Sequence, residues 1–95
     1  MPRDAIEMTL TAKERSLLLR YGYPFEQIES ALQACSKSTD IEIVPMDFFE
    51  LEQLIGNLCY SINRMKSGGL LDQLLDLCDR LEAAERDGDG RLDLL

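Results

Sequence analysis

Apolar residues along this chain recur mostly in steps of three and four, and the stretches that carry them are separated by short polar, Gly- and Pro-containing runs. That spacing is the period of an amphipathic helix. The breaks fall at Gly22-Tyr23-Pro24, from Ser36 to Pro45, at Ser67-Gly68-Gly69 and at Asp87-Gly88-Asp89-Gly90, leaving four segments. Thr11-Ala12-Lys13-Glu14 has the form of a capping box, in which a hydroxyl and a carboxylate satisfy each other's free backbone donors. It predicts a helix over 11–21 bearing Leu17, Leu18 and Leu19, stopped by Gly22 as a C′ glycine. Pro24 suits the first position of a second helix over 24–35, where Phe25, Ile28, Leu32 and Cys35 share one face and Glu26, Gln27, Glu29, Ser30 and Gln33 the other. These two helices form a tight hairpin.

Ile41-Glu42-Ile43-Val44 is β-branched, and Pro45 is expected to end any ladder there. A lone strand cannot satisfy its own edges. The segment 40–45 is therefore read as an extended loop packing Ile41 and Ile43 inward, in preference to a short strand paired with a second copy of the chain. Asp47 and Glu50 repeat the capping logic, with Met46 and Leu51 in the positions of a hydrophobic staple. A third helix over 48–65 follows, with Phe48, Leu51, Leu54, Ile55, Leu58, Cys59, Ile62 and Met65 on its core face. The fourth, over 70–85, sets Leu71, Leu74, Cys78 and Leu81 in a stripe widened by Leu70, Leu75 and Leu77, with Asp72, Gln73, Asp76, Asp79, Arg80 and Glu82 toward solvent. So wide a leucine face exceeds what one antiparallel neighbour needs and points to contact with more than one neighbouring helix or with another subunit, a homodimer being the simplest self-associated form. The predicted class is all-α: four helices in two helical hairpins, one domain over 1–85, and a flexible acidic tail over 86–95.

Charge and residue usage then remove several functions. The chain has 95 residues, no His, no Trp, three Cys and a net charge of −8. Without histidine, the usual Ser-His and Cys-His nucleophile pairs and His-bearing zinc sites are excluded. The acidity disfavours nucleic acid, whose binders draw affinity from Lys and Arg on phosphate, and the second helix has neither residue with which to enter a groove. No run approaches the ~20 apolar residues of a membrane span, and residues 1–8 lack the apolar core of a signal peptide. A soluble cytoplasmic protein is expected, with no membrane partner. From Ser67 onward eight acids stand against three arginines, so −5 of the −8 lies on the last helix and tail.

Cys35, Cys59 and Cys78 lack the short spacings of a local chelate, so reduced core thiols are expected, with no metal and no cofactor. Asp72, Asp76 and Asp79 fall on one helical stripe opposite leucines, which reads as a solvated face and not as an acid–base pair. Glu85, Asp87, Asp89, Gly90 and Leu92 match half of an EF-hand loop, but the closing bidentate ligand would fall one position after Leu95. A frayed tail is expected in preference to a calcium site.

Two groups remain as candidate contact surfaces. Gln53, Gly56, Asn57, Tyr60 and Arg64 form a nearly uncharged stripe on the polar side of the third helix, interrupted by a mid-helix glycine that costs ~1 kcal/mol relative to alanine. That cost is accepted either for close approach of a ligand or partner backbone, or to admit a bulky side chain from the first two helices. The second group is Tyr21, Tyr23 and Phe25, read first as aromatics that pack the hairpin turn onto the core and otherwise as a contact surface. Leu17 to Leu32, with the Gly22-Tyr23 turn and Ala31-Leu32, is similar to the first two helices of ubiquitin-associated domains, in which the equivalent Gly-aromatic loop contacts a partner. The similarity spans about 16 residues, and the long third helix and added fourth depart from that three-helix pattern, so no family is assigned. The expected function is a small acidic, non-catalytic protein-interaction or regulatory module that self-associates. An acidic inhibitor or mimic, antitoxin-like, occupying a basic partner site is the alternative, and an enzyme using Cys or carboxylates is a distant third.

Overall fold

Two capping boxes frame the helices. Thr11 Oγ1 accepts from the Glu14 amide at 3.1 Å while Glu14 Oε1 accepts from the Thr11 amide at 2.9 Å, and α1 runs over Ala12–Tyr21. Asp47 and Glu50 repeat the exchange at 2.7 and 2.9 Å to open α3, Phe48–Asn63. Between them α2 covers Glu26–Ala34, and after the Gly68 turn α4 covers Gly69–Asp87. The computed structural model describes residues 6–87. Arg86 and Asp87 thus continue α4, while the remainder of the expected tail and most of the EF-hand-like run lie outside the described residues.

The chain is mostly helical, but a two-stranded antiparallel sheet corrects the all-α class. Strand β1, Ile6–Leu10, pairs with β2, Glu42–Met46, placing Ile6 opposite Met46, Met8 opposite Val44 and Leu10 opposite Glu42. The extended segment is therefore a strand, and its partner comes from the same chain. Its orientation is the reverse of the expected one: Val44 and Met46 are buried, whereas Ile41 and Ile43 are 47% and 57% exposed. The register decides this, because Ile6, Met8 and Leu10 occupy the core face of β1 and a one-residue shift would turn them all outward. Pro45 does not end the ladder; it lies within it opposite Glu7. An edge strand admits proline where its missing N–H owes nothing to the neighbour.

The long hairpin is α3 with α4, while α1 packs on α3 and β1, and α2 leans on both α1 and β2. Two separate helical hairpins are therefore not the architecture; the sheet binds the first half together. Leu18, Leu32, Leu51, Leu54, Leu58, Leu74, Leu77 and Leu81 meet in the centre with Met8, Val44 and Met46 from the sheet. Phe48, expected on the core face, is exposed, as are Leu70 and Leu75.

Two arginines join these layers. Arg15, only 2% exposed, projects from α1 and donates from Nη1 to the carbonyls of Leu10 at 2.8 Å and Asp40 at 2.9 Å, and from Nη2 to that of Ser38 at 2.8 Å. Its Nε has no partner. Arg80, expected on the solvent face of α4, instead folds back onto Glu14 with two bonds of 2.8 and 2.9 Å and also donates to the Thr9 carbonyl. Replacing Arg15 with Met strands three carbonyls that a charged donor held. Urea unfolding of Arg15→Met should show a loss of about 3 kcal/mol, and Arg15→Lys, which cannot span the same acceptors, should also unfold earlier than the parent.

Candidate partner-binding surface

The surface is built from the α1–α2 connection and the outer face of α3. Gly22 is not a left-handed C′ residue; its φ is −91°. Glycine is required there by proximity, since a Cβ would lie 2.8 Å from the Leu18 carbonyl oxygen and 3.1 Å from Leu54 Cδ2. With the chain pressed onto α3, that helix binds three successive carbonyls of the connection. Ser61 Oγ donates to Tyr21 O at 3.3 Å, and Asn57 Nδ2 to Gly22 O at 2.7 Å and Tyr23 O at 3.4 Å. The left-handed position falls on the next residue, Tyr23, at φ +45°. A bulky residue rarely adopts that region, and here it turns a ring that is 64% exposed out from the fold.

This connection fuses the two candidate groups of the sequence into one surface. Tyr21, Tyr23, Tyr60, Ser61, Arg64 and Met65 line an open cleft of about 220 Å³. Arg64 Nη1 donates to the Tyr60 hydroxyl at 3.0 Å, and its guanidinium carbon lies 5.3 Å from the Tyr60 ring centroid. The second attachment is a cation–π contact that holds the exposed arginine in place. At the other end Phe25 stacks on Phe49, centroids 5.6 Å apart and planes inclined by 19°. Between the two ends lie Gln53, exposed, and Gly56. No atom stands within 4 Å of where a Gly56 Cβ would be, so this glycine admits no side chain from α1 or α2; the space above it is open.

Of the stripe on α3, Tyr60, Arg64, Gln53 and Gly56 face outward, whereas Asn57 positions the neighbouring loop. Phe49, 61% exposed, and the buried Ser61 belong to the surface but were not among the residues singled out from the sequence. Phe49 sits one turn before Gln53 on the same stripe, which is the signal that could have found it. The chain's six aromatic residues are Tyr21, Tyr23, Phe25, Phe48, Phe49 and Tyr60, and the buried core contains none of them.

Other ionisable groups of the described residues lie outside this surface. Asp72, Asp76 and Asp79 are exposed along α4. Burial, and after it the hydrogen bond and charge of Cys59 and the charges of Glu82 and Asp79, push the Cys78 thiol up to about 12, which favours the protonated form at neutral pH. No described helix is long and apolar enough to cross a membrane. No family model, curated protein or solved structure matches the chain.

Crowding against backbone predicts that Gly22→Ala destabilises the fold by about 1–3 kcal/mol in urea unfolding. Phe49→Ser and Tyr60→Ser, by contrast, should each change stability by no more than about 0.5 kcal/mol. Asn57→Ala should raise amide hydrogen exchange selectively through Tyr21–Phe25.

Proposed function

We propose that the chain is a non-catalytic protein-interaction module that binds its partner across Tyr23, Phe25, Phe49, Tyr60 and Arg64. The observation that carries this reading is that five of the six aromatic residues are exposed, Tyr21 alone packing part-buried against the core. Aromatic rings bring the largest apolar area to burial, and this chain leaves most of that area on its surface. Tyr and Arg are the residue types that dominate interface hot spots. Here both are already ordered, Tyr23 by its clamped backbone and Arg64 by Tyr60, so little conformational entropy remains to be lost on docking. The open space over Gly56 allows a partner backbone to approach α3 closely. Exposed Leu70 and Leu75 on α4 add a second apolar contact through which the module would self-associate, most simply as a dimer in the cytoplasm.

A second reading rests on a different observation. Asp72, Asp76, Asp79 and Glu82 line the exposed side of α4, an arrangement suited to an acidic inhibitor that covers a basic site.

The test begins with capture of the partner on the immobilised full chain and proceeds to titration of the purified pair. Tyr60→Ser and Phe49→Ser should each weaken binding by about tenfold or more, equivalent to ~1.4 kcal/mol, with little effect of salt. Unchanged affinity in both variants would exclude this surface. Affinity that falls steeply with ionic strength and with loss of the α4 acids would select the inhibitor reading. Sedimentation equilibrium showing a strict monomer at all concentrations would remove self-association.

A further inference from the structure

Cys59 and Cys78 are 19 positions apart, yet the α3–α4 hairpin sets their sulfurs 3.7 Å from each other. Glu82 follows Cys78 by one turn of α4, and a carboxylate oxygen of this residue and the two sulfurs all lie within 4.8 Å of one another. Two sulfurs bound at ~2.3 Å to one tetrahedral zinc ion are ~3.8 Å apart, so the thiol pair already has the separation of a zinc dithiolate. We propose that Cys59, Cys78 and Glu82 bind a single zinc ion that clamps α3 to α4.

The expectation of no metal rested on the absence of cysteines spaced for a local chelate; this site is assembled by helix packing. The donor set defines the ion. Two sulfurs select a thiophilic cation such as zinc over magnesium or calcium, and a carboxylate suits zinc as a third ligand. Cys78 is buried, Cys59 half-buried and Glu82 exposed, which provides an anchored inner ligand and an entry route from solvent, with the fourth position left to water. On binding, each thiol releases its proton to solvent and each sulfur lone pair forms a bond to the ion. Glu82 and Asp79, whose charges act on Cys78, attract a divalent cation to the thiol pair. Cys35 caps the C-terminus of α2, its thiol donating to the carbonyls of Ala31 and Leu32, and serves as an internal control.

The full chain, kept reduced, is titrated with Co²⁺ as a spectroscopic probe and then with Zn²⁺. One cobalt per chain is expected, with intense visible bands of tetrahedral geometry and sulfur-to-cobalt charge-transfer absorption, both erased by zinc. Cys59→Ser, a near-isosteric change at a half-buried position, should weaken binding at least ~100-fold and remove the sulfur band, while Cys35→Ser leaves it intact. Glu82→Gln alters an exposed side chain that the fold does not need, and should weaken binding ~10-fold or more. Cobalt bound without a sulfur band, a band that survives Cys59→Ser, or one metal shared by two chains would overturn the proposal.

Discussion

A guanidinium withdrawn from water without a carboxylate beside it is tolerable only if carbonyl dipoles surround it, and Arg15 imposes that condition on this fold. Its acceptors come from two distant places: Leu10 at the end of β1, and Ser38 and Asp40 in the connection that leads into β2. Meeting the demand of one side chain therefore brings the end of β1 and the approach to β2, which together form one end of the sheet, to the start of α1. The connection is prepared for it locally. Ser38 Oγ accepts from the Asp40 amide and donates to Glu42, so the carbonyls are already turned before the cation reaches them. A buried charge is costly unless it is so enclosed, and the same cost penalises every arrangement in which β1, α1 and that connection do not meet.

Helix boundaries were legible because their causes are local. Thr11 with Glu14, and Asp47 with Glu50, are each complete within four residues, and both appear in the structure with the expected hydrogen bonds. The sheet was not legible because its cause is remote. Ile6-Glu7-Met8-Thr9-Leu10 alternates correctly, but five residues of alternation are weak without a partner, and the partner is β2, beyond two helices. Missing it left Ile41 and Ile43 as the obvious inward residues, although the register turns Val44 and Met46 inward. Arg80 looked like an ordinary member of a charged helix face and Arg15 carried no signal that singled it out, since nothing in 3.6-residue periodicity tells a solvated arginine from one that reaches backbone carbonyls across the core.

The proposed contact surface was half legible, for the same reason. Helical spacing placed Gln53, Gly56, Tyr60 and Arg64 together, and proximity in sequence gathered Tyr21, Tyr23 and Phe25, but their union depends on Asn57 and Ser61 gripping the intervening turn. The division of labour that results is chemical. Leucine, isoleucine, valine and methionine side chains fill most of the interior, while the outer rings are held by the clamped connection at Tyr23, by the Phe25–Phe49 stack and by Arg64 on Tyr60.

Arg80 has a consequence for how the chain comes to be folded. It ties α4 to the Thr9 carbonyl 71 positions earlier and to Glu14 66 positions earlier. Contacts of such sequence separation are closed late, after most loop entropy has already been lost. The sheet and α1–α3 can therefore associate before α4 docks, and the Thr9 carbonyl and the Glu14 carboxylate remain the acceptors on which the last helix is locked in place.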